Sequence, residues 1–237
     1  MLAIGAVIGL AMGVQTALGF GAILVSVTLG AHLLPLDRLL PLIVPVSLVQ
    51  SSVIAVRHRS HVQGALLLRR VLPLVAVGLG VGVVLVGPGQ APWLRPALGV
   101  LVLGLAALSL TEDGQVPEGG GLGSAAALVA GGFVQGLLAT GGPLVVWGLA
   151  RHRLDRHALR ATLAVIWLSM NVVLVGAMVA DGRIDGASLG RSAALLVPAA
   201  AGLGVGELVH GRLPERGFRR AVWVLLGLAA FPLLLGG

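Results

Sequence analysis

Gly78-Leu79-Gly80-Val81-Gly82 recurs letter for letter as Gly202-Leu203-Gly204-Val205-Gly206, roughly 124 residues further on. Around this phrase the two halves of the chain align. Gly9 and Gly13 match Gly132 and Gly136, Gly64 matches Gly186, and Arg95 matches Arg219. Gly104-Leu105-Ala106-Ala107 matches Gly227-Leu228-Ala229-Ala230. Both halves are strongly apolar. A duplicated apolar unit is a common build of membrane carriers, with the binding site where the repeats meet.

Composition narrows the class. Of 237 residues 57% are hydrophobic and 11% charged, and the mean hydropathy is +1.02. A soluble domain of this size cannot hide that much apolar surface, and apolar runs near 20 residues long recur along the chain. The runs lack strict alternation, which opposes a β-barrel. The expected class is all-α and polytopic in a membrane. All 16 basic residues are arginine, and they sit in short clusters between apolar runs, where topology signals belong. With no tyrosine and few other aromatics, the net charge of +7 is no nucleic-acid footprint. Cysteine is absent, so disulfides and thiolate chemistry are excluded. The first apolar run has no basic stretch before it and aligns with 122–150, so it is expected to be part of the fold rather than a cleaved leader.

Eight apolar segments are expected, near 2–31, 39–56, 71–87, 93–110, 122–150, 158–180, 189–210 and 218–236. The stretch 111–121 is acidic and Gly-rich and reads as a linker. It divides a first repeat, 1–110, from a second, 122–237. Segments one and five are long for one crossing and short for two. Each is interrupted by small residues, Gly19-Phe20-Gly21 and Thr140-Gly141-Gly142-Pro143. Glycine is costly in a helix and Pro143 lacks a backbone donor, so each should be a broken helix, with a re-entrant hairpin and a long tilted helix as the two forms weighed.

Loop charge favours the hairpins. The basic loop of the first repeat follows its second segment, with Arg57, Arg59, Arg69 and Arg70. In the second repeat the basic loops are 151–160 and 211–220, so the bias is flipped, as inverted topology requires. With re-entrant segments only Arg38, Arg95, Arg183 and Arg191 fall outside, and the 57–70 loop is cytoplasmic.

At the two breaks the sequence resembles the sulfite exporter TauE/SafE family of membrane transporters. The run from Gly132-Phe133-Val134-Gln135-Gly136 through Thr140-Gly141-Gly142-Pro143 is similar to that family's second-repeat signature. Leu159-Arg160-Ala161-Thr162-Leu163, Gly182-Arg183-Ile184 and the Gly202 region follow in the family's order. Gly19-Phe20-Gly21-Ala22 resembles a variant of the first-repeat signature; many members have a denser glycine run and a proline where Ser26 and Val27 stand here. The resemblance implies passage of small anions such as sulfite, sulfoacetate and related organosulfur compounds.

An anion leaving water needs donors to replace its hydration. Backbone N–H groups at interrupted helix ends supply them, and glycine lets the backbone approach. The candidate binding residues are therefore Gly19, Gly21, Gly141 and Gly142, with Gln15, Thr16, Gln135 and Thr140 beside them. Packing glycines and self-bonded hydroxyls are the plainer alternative. Gln50, Ser51 and Ser52, with Ser169 and Asn171 in the other repeat, form a second polar set; Ser51, Ser169 and Asn171 are carried as candidates. Glu207 is the only carboxylate inside an apolar run and the candidate for proton coupling, against an interfacial ion pair with His210 and Arg212. His58 and His61 have a metal-like spacing, but Arg57 and Arg59 oppose a cation. Gly186-Ala187-Ser188-Leu189-Gly190 fits the hydrolase nucleophile pattern without the strand it needs.

The expectation is thus a secondary carrier, an exporter, in a prokaryotic cell membrane. It would use alternating access around an anion held between the two breaks. It is not an enzyme and needs no cofactor or metal. A small anion and the lipid bilayer are its partners, and a homo-oligomer is compatible. An anion channel on the same scaffold and a non-transporting structural subunit are the alternatives.

Overall fold

The protein is described from a computed structural model covering residues 2–18, 20–86, 93–111, 121–152, 154–210 and positions 224, 227 and 230. Segment eight, the linker core 112–120, Gly19 and the arginines of 211–220 lie outside the described residues, apart from those three positions. Every regular element among the described residues is helical. In chain order they are α1 (Leu2–Leu18), α2 (Ala22–Gly30), α3 (Leu36–Arg57), α4 (Gly64–Leu66), α5 (Leu72–Val86), α6 (Leu94–Thr111), α7 (Leu122–Leu138), α8 (Gly142–Ala150), α9 (Arg156–Ala180) and α10 (Gly186–His210). A π turn, Leu67–Val71, joins α4 to α5 as one rod.

Four helices are long and apolar enough to cross a membrane: Leu36–Arg57, Gly64–Leu85, His157–Ala180 and Gly186–Leu208. The protein is an all-α polytopic membrane protein. α3 is the most enclosed of the four, with 72% of its apolar window buried against 28% for α10. Val77, Val81 and Val84 on α5, and Val197 and Val205 on α10, are exposed, as side chains facing lipid would be.

Arg69 and Arg70 do not lie in a loop. They sit in the π turn, because Arg is a good helix former and nothing at Gly64–Leu68 stops the helix. The third segment therefore begins at Gly64, not at 71. α9 starts at Arg156 because the Asp155 carboxylate accepts from the N–H groups of His157 and Ala158, both at 2.9 Å.

The described residues form two compact units. One draws on Met1–Ile43, Gly89–Gln115 and Gly186–Gly237, the other on Val44–Pro88 and Val116–Asp185. Neither follows a sequence half; each combines elements of both.

In the first unit α1 packs along α10. A Cβ on Gly9 would lie 3.1 Å from the Pro198 carbonyl oxygen, and one on Gly13 would lie 3.1 Å from that of Gly202. The pairs advance together, so the helices run parallel. Contact this close is how helices associate in lipid, where packing replaces hydrophobic drive. Pro45 has no N–H for the carbonyl four residues back, Pro41. Ser192 of α10 donates to that region, 3.4 Å from the Pro41 oxygen and 3.0 Å from that of Leu42.

In the second unit α7 packs along α5, also parallel. A Cβ on Gly78 would overlap the Val129 carbonyl, and one on Gly132 would overlap that of Val75. Each repeated Gly-x-x-x-Gly pair thus meets a pair from the other half: 9/13 with 202/206, and 78/82 with 132/136.

Candidate functional site at the helix breaks

Both long segments are broken, and at both breaks the chain reverses. In the second unit Ser124 Oγ donates to the Gly148 carbonyl at 2.8 Å, tying the start of α7 to the end of α8. Gly131 of α7 faces Val145 of α8. Only an antiparallel hairpin joins these pairs. The turn uses Ala139 at φ 56, a left-handed value that alanine adopts at a cost. Gly141 is glycine because a Cβ there would overlap the Gly131 carbonyl.

In the first unit Gly21 makes the turn, at φ 105. Gln15 Oε1 accepts from the Ala22 N–H at 3.1 Å, seven residues on. A straight helix would separate these groups by about 10 Å.

The two glutamines share one task. Gln135 Oε1 accepts from the Gly141 N–H at 3.0 Å, matching what Gln15 does for Ala22. Each fastens the entry of a nine-residue helix to the helix before it. They are buried, and their carbonyl oxygens are spent on the fold. Helical geometry leaves the first N–H groups beyond them, Ile23 and Leu24 in α2, Gly142 and Leu144 in α8, without an intrahelical acceptor. Each break thus presents the positive end of a helix dipole.

Thr16 donates its hydroxyl to the Met12 carbonyl at 2.8 Å, and its Cβ would meet a Cβ on Gly206. Ser169 likewise donates to Val165 at 2.8 Å, and Ser52 to Leu48. Thr140 differs: its Oγ1 is buried without a hydrogen-bond partner. The Trp167 ring lies beside Gly142, and a Cβ there would be in ordinary contact with its Cη2 at 3.8 Å.

The second polar set lies partly on the same unit's α3 and α9. Asn171 Nδ2 donates to Ser47 Oγ at 3.2 Å, and Ile54 and Ala55 cluster with Ala164 further along. These two contacts make α3 and α9 antiparallel there. One turn in from the Asn171–Ser47 pair lie Ser51 on α3 and Trp167 on α9, at one level. The Ser51 hydroxyl, the Gln50 amide, Trp167 Nε1 and Asn171 Oδ1 are all buried without partners. In the first unit Ser26 and Thr28 on α2 are in the same condition. Each such group costs about 1–3 kcal/mol unless something bonds it.

Trp167 is absent from the residues that the sequence singles out, though a signal existed. Tryptophan in membrane proteins favours the interfaces, and this one stands mid-segment, where its N–H needs a partner. Glu207 is exposed on α10, one residue beyond Gly206; the His210 side chain and Arg212 lie outside the described residues. Ser188 lies in the first turn of α10, and Ser192 Oγ donates to its carbonyl at 3.0 Å. Among the described residues no group of three or more His, Asp or Glu could hold a metal.

Outside the spans, His58 is held below its usual 6.5 by burial first, then by Arg160, His61, His157 and Arg57. A cavity of about 730 Å³ also lies in the first unit, along α1 and α10 between Leu2 and Gly206. Its walls are Gly, Ala, Val, Leu and Pro, so it offers an anion no side-chain donor.

No curated protein and no solved structure matches the chain significantly. Residues 1–233 do match one family, described as sulfite exporter TauE/SafE, and the chain belongs to that family of anion-transporting membrane proteins.

Proposed function

We propose that the chain is a secondary exporter of small organosulfur or related anions, sulfite and sulfoacetate among them, working by alternating access. The observation that carries this reading is the pairing at each break: a glutamine-fastened turn opens a short helix whose first N–H groups are uncommitted. Buried hydroxyls without partners stand on or beside that helix, at Ser26 and Thr28 in one unit and Thr140 in the other. Neutral donors of this kind hold an anion less tightly than a guanidinium fork, and weaker holding suits release.

The halves act as inverted repeats in this reading, with α1–α2 and α7–α8 as re-entrant hairpins. Two facts support it. The arginine bias flips between the halves. A nine-residue helix rises about 13.5 Å, under half of a hydrocarbon core of about 30 Å. Gly19, Gly21, Gly141 and Gly142 would admit the anion to the backbone, while Gln15 and Gln135 fix the turns. Glu207 is retained as the candidate for proton coupling, to be tested by the response of flux to a pH gradient.

Flux of sulfite, sulfoacetate and acetate in proteoliposomes tests the proposal. Saturable movement of the sulfur anions is expected. Gly142→Leu and Gly21→Leu should abolish it while the protein still inserts. Full flux by both variants would sink the proposed site. A large unsaturable conductance would instead favour a channel.

A further inference from the structure

The second unit carries more unpartnered donors than its helix break needs. Thr140 Oγ1 precedes α8, the Trp167 ring lies against Gly142, and Ser51 stands level with Trp167 across α3 and α9. All three side chains are more than nine-tenths buried, Ser51 and Thr140 almost completely. Gln50, the neighbour of Ser51, is buried with neither amide atom bonded. Indole N–H can only donate, and hydroxyls and a carboxamide can donate, so an acceptor-rich guest would bond the whole set. Every one of these side chains is neutral.

We propose that Trp167, Ser51, Gln50 and Thr140, with the N-terminus of α8, form a pocket for an oxyanion group that carries one charge on its centre, such as a sulfonate or hydrogen sulfite, and that selects against a centre carrying two, the indole N–H being the orienting donor. This rests on the transport reading above and adds to it a residue, a pocket and a charge rule. The rule follows from desolvation. The cost of moving an ion out of water rises with the square of its charge, while neutral donors supply no compensating charge. A centre that bears three oxygens offers an acceptor to each kind of donor found here, the indole N–H, the hydroxyls and the backbone N–H groups. A dianion of the same shape gains the same bonds and bears about four times the desolvation cost.

Methanesulfonate and sulfate make the test, because they share a tetrahedral sulfur centre and differ in charge. The full chain is prepared with Trp93, Trp147 and Trp223 replaced by Phe, leaving Trp167 as the single fluorophore. Methanesulfonate should change its emission saturably, and sulfate should bind at least about tenfold more weakly. In the otherwise native chain, Trp167→Phe should weaken methanesulfonate binding, read by competition with flux, by about tenfold, the loss of one hydrogen bond to a charged guest. Thr140→Val, nearly the same shape, should do likewise and covers the case in which Trp167→Phe does not fold. Equal binding of sulfate, or unchanged affinity in the folded variants, overturns the pocket while leaving the transport reading intact. If the native chain neither binds nor moves any of these anions, both readings fall.

Discussion

The two glycine seams are built from the same motif and closed to different degrees. Where α5 meets α7, all four glycines face backbone: a Cβ on Gly78, Gly82, Gly132 or Gly136 would come within 2.7 Å of main-chain atoms or overlap them. Where α1 meets α10 the fit is one-sided. Gly202 and Gly206 admit no Cβ, but Gly9 and Gly13 each leave 3.1 Å to the nearest carbonyl oxygen. Beside that looser seam runs the apolar cavity, at the level of Pro198. Proline lacks the N–H that would bond the Ala194 carbonyl and its ring crowds the preceding turn, which bends a helix. At the matching place α5 has Leu74, and its proline, Pro73, comes one residue earlier, directly after the π turn Leu67–Val71. The comparison teaches that Gly-x-x-x-Gly sets which helices meet, while the residues around it set how closely.

The largest effect should come from adding one methyl to the tight seam. Gly78→Ala or Gly132→Ala forces two backbones apart, and we expect loss of monodisperse protein in detergent. Gly13→Ala should fold, with a cost of about 1–3 kcal/mol and a lower melting temperature. Equal melting temperatures for Gly78→Ala and Gly13→Ala would erase the distinction between the seams.

Next come the two fastening glutamines. Gln135→Leu and Gln15→Leu each leave one backbone N–H unpaired at a break, at about 1–3 kcal/mol. The units should respond alike here, because the bonds are alike. A thermal shift in one variant and none in the other would show that only one break depends on its glutamine.

A smaller effect separates the units by pH. His58 belongs to the second, and its proton affinity is lowered in the folded chain. The unfolded chain therefore takes up this proton first as pH falls. The stability from neutral His58 is complete above about 6.5 and shrinks as pH drops from there toward the folded value. His58→Gln should flatten the melting temperature between pH 7 and 5; an unchanged slope would assign the pH response elsewhere.

The smallest effect tests the cavity. Ala201 is exposed on its wall, so Ala201→Leu should change stability by less than about 0.5 kcal/mol. A large loss on thermal melting would mean that the wall is occupied by structure rather than open.

Much of this was legible from residue order. The apolar runs announced a helical membrane protein, and Gly21 and Gly141-Gly142 marked the breaks, because a chain can reverse in lipid only where small residues allow it. The glutamines were singled out in the sequence as candidate binding residues, and their fastening of the turns was not legible, since nothing in the sequence says which N–H a carboxamide will meet six or seven residues on. Arg69 and Arg70 looked like loop and proved helical, because charge signals depth in the bilayer and not the end of a helix. Trp167 went unseen, for its meaning depends on Gly142 lying beside it.

The sequence by itself determined the class, the duplication, the family and the positions of both breaks. Those properties depend on composition and local backbone chemistry, which a chain carries wherever it goes. Only the tertiary structure decided that each repeat's glycine pair is completed by the other repeat. It also decided that Ser51 and Trp167 stand level and that one seam closes while the other leaves a cavity. These are matters of which surfaces meet and how closely, and packing distance is a property of two elements together that neither sequence segment holds alone.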